Sequence, residues 1–316
     1  MNPRRGERLM VPEAEFQSYY DQPVIKPPVW KVPDVPAYLY LGGLAGASAS
    51  MAALADATGR PSLRRVGRIA SALGATASVG ALIHDLGRPE RFLHMLRVFK
   101  PTSPLSVGSW ILAPFGSLAA AGAASELTGI APRLGSVAGA GAGLLGPAMT
   151  TYTAVLLADT AVPAWHEAHP QLPVVFAGSA LASAGGVGLL AGAEAGPARR
   201  MAVLGAAVEL GATELMERSI GLPGEAYRTG RAATVLRAAR ALTAAGGVGA
   251  LLGMRHPGSR VTSVLSGLLL NAGAATTRYG IFEAGMQSAR DPKFTVVPQR
   301  QRLAERGAAA PDNHHH

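Results

Sequence analysis

The sequence predicts an all-α integral membrane protein with about eight transmembrane helices in two four-helix bundles, and two observations favour this fold class. Hydrophobic residues make up 48% of the 316 residues and charged residues only 16%, with a mean hydropathy of +0.21. An average soluble domain has about a quarter of its residues charged. The 39 glycines suit helix packing in lipid, where small residues let backbones approach.

Eight apolar runs are each about as long as the 20 residues that a transmembrane helix needs. They are residues 35–58, 63–86, 107–127, 134–160, 172–193, 198–216, 236–254 and 261–282. Residues 59–61 (Gly-Arg-Pro) separate the first two spans. Arg64, Arg65 and Arg68 begin the second span, where we expect their side chains to snorkel to the headgroups. Pro147 predicts a kink in the fourth.

An even number of spans places both chain ends on one face of the membrane, called here the terminus side. Lys and Arg are more numerous in the loops and ends of this side than in the opposite loops. The positive-inside rule therefore predicts cytoplasmic termini in a multi-pass protein of the inner (cytoplasmic) membrane. The predicted organisation is an N-terminal arm (1–34), a transmembrane domain (35–282) and a C-terminal tail (283–316).

Composition also excludes several function classes. With no cysteine, the chain has no disulfide, thiol nucleophile or iron–sulfur cluster of its own. Among the histidines only His84 borders a span, and a transmembrane b-type haem needs two axial ligands, so we expect a haem-free protein. The net charge of +9 resides in loops and at the ends, which favours membrane topology over nucleic-acid binding.

The polar stretch from His84 to Trp110 joins spans two and three. His84 and Asp85 occupy the last apolar turn of span two, where ionisable groups are costly and are therefore functional candidates. A histidine beside a carboxylate can carry a proton near neutral pH. The alternative is that this pair caps the span while Arg88 and Arg91 bind headgroups.

Tyr152 and Asp159 lie seven residues apart near the end of span four, so both project from one helical face. A phenol and a carboxylate facing the bundle interior can hydrogen-bond the carbonyls of a quinone and carry its protons. The alternative is an interfacial tyrosine followed by a helix-end aspartate.

Three further ionisable residues lie inside later spans. Glu209 and Glu214 are in span six, and Arg278 is in span eight. Buried carboxylates in lipid are paired, protonated or part of a proton route. One interpretation is therefore an ion pair of Glu209 or Glu214 with Arg278, and another is a proton relay.

The N-terminal arm is rich in proline between Pro23 and Pro33, which forbids a regular helix. Its aromatic residues favour contact with a partner or with headgroups over a disordered tail. All three tryptophans fall near the terminus side, whereas an ordinary aromatic belt decorates both interfaces. This one-sidedness predicts that the face docks a subunit or holds a planar ligand.

Four segments carry a resemblance to the NrfD family, the polysulfide-reductase membrane-anchor (PsrC-like) family. They are YYDQPVIKPPVWK (19–31), YLYLGGLAG (38–46), DLGRPERFLHMLRVFKPTSPLSVGSWIL (85–112) and YTAVLLADTAVPAW (152–165). The resemblance implies a haem-free, eight-helix subunit that binds menaquinone or ubiquinone. It also implies docking of an iron–sulfur ferredoxin-like subunit, which connects to a molybdopterin or tungstopterin catalytic subunit such as that of a formate dehydrogenase or sulfur-compound reductase.

The resemblance and the residue patterns described above together assign roles to particular residues. The implied quinone-binding residues are Tyr38, His84, Asp85, Trp110 and Tyr152, with Asp159 added from its spacing although many relatives have a small residue there. The candidates for proton transfer are Asp85, Glu209, Glu214 and Arg278. The candidates for partner docking are Tyr19, Tyr20, Lys26, Trp30, Arg88, Arg91, Arg97 and Lys100. No metal site is expected. The competing functions are a secondary transporter or proton channel and a purely structural tether.

Overall fold

The structure is a computed structural model that describes residues 23–309, with gaps at 89, 193 and 256–258. Over these residues the regular structure is helical, which confirms the all-α prediction. The helices are α1 Asp34–Ala57, α2 Pro61–Asp85, α3 Arg91–His94, α4 Pro104–Thr128, α5 Pro132–Ala158, α6 Pro163–Glu167, α7 Leu172–Ala191, α8 Ala195–Ser219, α9 Glu225–Arg228, α10 Gly230–Arg255, α11 Arg260–Arg290 and α12 Lys293–Ala309, with a 3₁₀ turn at Leu222–Gly224.

Each of the eight predicted spans coincides with one of the long helices α1, α2, α4, α5, α7, α8, α10 and α11. Within the described ranges, six of them are long and apolar enough to cross a membrane: α1, α2, α4, α5, α7 and α10. The chain is therefore a multi-pass membrane protein. Helices α8 and α11 are outside this set, so the total of eight spans stays a prediction.

The ends of the long helices follow local sequence signals. Proline occupies the first turn of α2, α4 and α5, where its missing N–H costs nothing. Ser103 and Ser259 cap α4 and α11 by accepting hydrogen bonds from the backbone N–H groups of Ser106 and Thr262. Gly129 ends α4 in the left-handed conformation, with φ of 73°.

The eight long helices form two four-helix bundles, as predicted. Helices α1, α2, α4 and α5 make the first bundle, and α7, α8, α10 and α11 make the second. In each bundle the fourth helix packs back against the first. Helix α1 also contacts α7 and α11, so it forms a wall common to both bundles.

Glycine permits the closest helix crossings in both bundles. A Cβ added at Gly46 of α1 would lie 2.6 Å from the carbonyl oxygen of Gly146 in α5. A Cβ at Gly185 of α7 would lie 2.7 Å from the Cα of Ala202 in α8. Small residues therefore permit the tight packing that the glycine content predicts.

The terminus side of the second bundle is covered by α6 and by the N-terminal arm. Trp165 of α6 is fully buried, stacks on Trp30 of the arm with ring centroids 5.4 Å apart, and donates from Nε1 to the carbonyl of Ile281 at 2.8 Å. Tyr227 donates to the carbonyl of Ala164 at 2.9 Å, and burial raises the pKa of its phenol, so that it stays a donor. These contacts fix the arm and α6 on the bundle.

A set of four charges closes the opposite end of the first bundle. This far cluster consists of Asp56 of α1, Arg64 and Arg68 of α2, and Glu126 of α4, with ion-pair distances of 2.8 to 3.1 Å. The expectation that Arg68 snorkels to the headgroups is wrong. Its side chain is only 6% exposed, because it turns inward to meet both carboxylates.

Candidate functional site

Two tyrosines meet inside the first bundle at its terminus-side half. The hydroxyls of Tyr38 in α1 and Tyr152 in α5 are hydrogen-bonded to each other, and the two rings pack edge to face with centroids 6.4 Å apart. Both side chains are buried. The Oγ of Ser78 in α2 donates to the backbone carbonyl of Tyr38 at 3.3 Å, which ties a third helix to the pair. The structure thus brings together two residues that sequence analysis assigned to one site.

Gly108 of α4 fixes how closely the third long helix approaches this pair. A Cβ added at Gly108 would lie 2.6 Å from Cε2 of the Tyr152 ring, so only glycine leaves the ring its present position. Gly108 was not among the residues expected at the site. Its signal was present, because it is a glycine at the second position of the third predicted span and within a segment that resembles the family.

A cleft of about 500 Å³ opens beside Tyr152, between the start of α4 and the end of α5. It is lined by Pro101, Thr102, Pro104, Val107, Ile111, Ala148, Thr151, Tyr152, Val155 and Asp159. Its walls are largely apolar, with the phenol in one wall and the exposed Asp159 just past the end of α5. Such a cleft suits a flat apolar ligand with one or two hydrogen-bonding oxygens.

His84 and Asp85 lie at the terminus-side end of α2 but do not line this cleft. His84 pairs through Nδ1 with a carboxylate oxygen of Asp34 at 2.7 Å, and not with the neighbouring Asp85. Asp85 accepts from the backbone N–H of Lys31 at 2.8 Å, and Lys31 Nζ donates to the carbonyl of His84 at 3.1 Å. The two residues therefore hold the arm against α2. Asp34 and Lys31 were missed because such partners, 50 to 54 residues away in the sequence, leave no local signal.

Trp110 also lies outside the lining of the cleft. Its side chain is 42% exposed and packs edge to face with Phe99, with ring centroids 5.8 Å apart. This contact joins the start of α4 to the connection that precedes it.

The second bundle holds a buried acid and a buried base. Glu209 accepts from the hydroxyl of Thr277 at 2.6 Å and from that of Thr243 at 3.5 Å. Arg278 donates from Nη2 to the carbonyl of Phe176 at 2.7 Å and lies over the Phe176 ring, 3.6 Å from Cζ to the centroid. Of the two interpretations, the ion pair between Glu209 and Arg278 is not formed, because each side chain is held by other groups. Within the described part of the chain, Nε and Nη1 of Arg278 have no hydrogen-bond partner.

Glu214 lies on the outer surface of α8. Its side chain is 51% exposed and pairs with Arg218 one turn later, at 2.7 Å. The alternative of an ion pair between Glu214 and Arg278 is therefore also wrong.

The predicted docking residues divide into three groups. Tyr19 and Tyr20 lie outside the described residues. Trp30 is half-buried, because it stacks on Trp165. The remaining side chains are exposed cations of the arm and of the connection between α2 and α4: Lys26, Arg88, Arg91, Arg97 and Lys100.

The long apolar helices define a multi-pass membrane protein, and its first bundle carries an apolar cleft beside a buried tyrosine pair. Residues 22–201 match the family model for polysulphide reductase, NrfD, and the chain belongs to that family. Membership implies a membrane subunit of an oxidoreductase complex that interacts with quinone. No curated protein matches the chain. The matched range contains the tyrosine pair and the cleft, whereas Glu209, Glu214 and Arg278 lie beyond it.

Proposed function

We propose that the chain is the quinone-reactive membrane anchor of a multi-subunit oxidoreductase, and that menaquinone or ubiquinone binds in the cleft between α4 and α5. The observation that carries this proposal is the Tyr38–Tyr152 pair, whose Tyr152 ring forms one wall of a largely apolar cleft in the family-matched part of the chain. The cleft volume of about 500 Å³ lies within the usual range for small-molecule sites, roughly 300–1,000 Å³.

The tyrosine pair supplies a directed hydrogen-bond donor. If Tyr38 donates to the Tyr152 oxygen, the Tyr152 proton is free to bond a carbonyl oxygen in the cleft. Quinone reduction to quinol consumes two electrons and two protons. A phenol that donates to one quinone oxygen orients the headgroup and can also deliver a proton to that oxygen. Asp159, about 10 Å further along the helix, is exposed and connects this end of the cleft to water.

His84, Asp85 and Trp110 belong to the same proposal. They lie at the terminus-side ends of α2 and α4, the end of the bundle where the cleft opens. His84, whose Nδ1 pairs with Asp34, is proposed to pass protons between the quinone and water. Asp85 is proposed to assist this transfer, and the half-exposed Trp110 to contact the quinone.

Electrons must come from or go to a partner, because the chain has no cysteine to hold a cluster. We propose an iron–sulfur ferredoxin-like subunit docked on the terminus side, joined to a molybdopterin or tungstopterin catalytic subunit of the formate dehydrogenase or sulfur-compound reductase kind. The exposed cations of the arm and of residues 88–100 suit an acidic docking face. The proposed location is the inner membrane, with this face and both termini in the cytoplasm.

The buried groups of the second bundle favour proton transfer as an additional role. Glu209 and Arg278 are proposed as transfer groups because they are buried and lack a mutual ion pair. Glu214 is the third proposed transfer group, and it differs from the other two because its side chain is exposed and paired with Arg218. A proton channel or secondary transporter without quinone chemistry is the second candidate function, and the same buried pair is the observation that favours it.

The test is Tyr152→Phe in the complex purified from its native membrane. Loss of the hydroxyl is expected to lower quinone-linked turnover by about 10²-fold, the lower end of the contribution of a positioned proton donor. Dye-linked activity of the catalytic partner is expected to stay unchanged. Tyr279→Phe, a half-buried tyrosine of α11 in the second bundle, is the matched control. Unchanged quinone turnover in Tyr152→Phe would contradict the site assignment.

A further inference from the structure

A small cavity lies just inside the far cluster, in the core of the first bundle. It has a volume of about 10 Å³ and is lined by Ala49, Ala52, Arg68, Ser71, Ala119, Gly122, Gly139 and Ala142. Arg68 and Ser71 are its two polar lining residues, and they lie one helical turn apart on α2. Their exposed fractions are 6% and 1%.

Both polar residues have hydrogen-bonding capacity that the protein leaves unused. Arg68 uses Nη1 and Nη2 for Glu126 and Asp56, but its Nε–H has no partner among the described residues. The hydroxyl of Ser71 is likewise without a partner there. Buried polar groups in folded proteins are nearly always satisfied, by protein or by ordered water.

We propose that this cavity is a binding site for one internal water molecule. The water oxygen accepts from Nε of Arg68, and the water exchanges a hydrogen bond with Oγ of Ser71. The volume is at the lower limit for a single water, roughly 10–15 Å³. It is too small for any larger ligand, and the guanidinium of Arg68 repels a metal ion.

Gly139 of α5 keeps the site open. A Cβ added there would lie 3.0 Å from both Nε and Nη2 of Arg68, so a methyl group would occupy the space beside the unpaired N–H. The far cluster and the water thereby form one hydrogen-bonded unit. It joins α1 through Asp56, α2 through Arg68 and Ser71, and α4 through Glu126, with α5 packed against it. This inference does not depend on the quinone proposal.

A structure of the full chain in its complex, at a resolution that shows ordered water, tests the site directly. The expected result is a density peak within 3.5 Å of both Arg68 Nε and Ser71 Oγ. An empty cavity, or an Arg68 Nε–H that donates to a protein oxygen, would overturn the proposal. This test uses the wild-type protein and needs no variant.

Thermal unfolding of Ser71→Ala supplies the second measurement. The water loses one of its two partners, so the unfolding midpoint is expected to fall by about 3 °C. The control is Ser117→Ala on α4, whose exposed hydroxyl bonds only its own helix at the carbonyl of Ala113. Equal midpoints for Ser71→Ala and the control would count against the water site.

Discussion

Tyr152 illustrates how far single residues can be interpreted before the structure is known. Its helical phase relative to Asp159 predicted that both residues share a face, and both line the cleft. His84 illustrates the limit, because its neighbour Asp85 was the obvious partner and its actual partner is Asp34, fifty residues earlier. Sequence spacing fixes neighbours within one helix, but a contact between helices depends on how the helices pack.

At the residue scale, Gly108→Ala tests whether the Tyr152 ring must keep its position. The added methyl group would lie 2.6 Å from the ring, so either the ring or α4 must move. Overpacking of this kind costs about 1–3 kcal/mol, and we expect both a lower free energy of unfolding and a higher KM for quinone. Steady-state quinone kinetics and thermal unfolding measure the two effects.

The matched control is Gly116→Ala, two turns further along α4, where an added Cβ meets nothing within 4 Å. It is expected to leave the KM unchanged. A Gly108→Ala protein with the KM of the control would show that the position of the Tyr152 ring is not critical for binding.

At the scale of elements, α1 is the helix that packs against both bundles. One side of α1 carries Tyr38 towards α5, and another side meets the second bundle. There Tyr40 donates to Asn271 of α11 at 2.8 Å. One turn further, Gly43 leaves room for the guanidinium of Arg278, which lies 2.9 Å from where a Cβ would be.

Gly43→Ala is expected to destabilise the protein by about 1–3 kcal/mol, because the new methyl group must displace the Nη2 end of a buried guanidinium that donates to the carbonyl of Phe176. The double variant Gly43→Ala with Arg278→Lys is expected to recover part of the loss, since lysine lacks the Nη2 atom that collides. Thermal unfolding of the single and double variants gives the coupling energy.

Gly80→Ala on α2, where the added Cβ has open space, serves as the control for helix propensity. Purely additive effects of the two substitutions at Gly43 and Arg278 would exclude direct contact as the cause of the destabilisation.

At the scale of the whole molecule, runs of apolar residues predicted the positions of the eight long helices, because lipid requires long apolar runs. Helix α12, Lys293–Ala309, lies in the part of the chain that was expected to be a tail. The division of the helices into two bundles came from the expected fold and not from any residue pattern, and the pairing of helices within each bundle was not predicted. The far cluster was missed because arginines near a span end suggest snorkelling, and only packing shows that Arg68 turns inward. The cleft was not predicted either, because it is formed only by the packing of α4 against α5.

The count of eight spans is a prediction for the whole chain, and the lack of native cysteine makes it easy to test. Single cysteines at Arg97 and Arg228 are expected to react with an impermeant maleimide from the terminus side. A cysteine at Gly196 is expected to react from the opposite side, because α8 then crosses the membrane. Labelling of right-side-out and inverted vesicles separates the two faces.

Labelling of Gly196→Cys and Arg228→Cys from the same face would mean that α8 does not cross. The predicted topology would then fail in the second bundle. Arg133→Cys, on the opposite loop of the first bundle, is the reference position for the far face.

Photolabelling of the purified complex with an azido-quinone, followed by peptide mass spectrometry, tests the central claim most directly. We expect label in the segments 101–111 and 148–159, which line the cleft, and we expect excess unlabelled quinone to prevent the labelling. Competed labelling confined to α8, α10 or α11, with these two segments unmodified, would contradict the account.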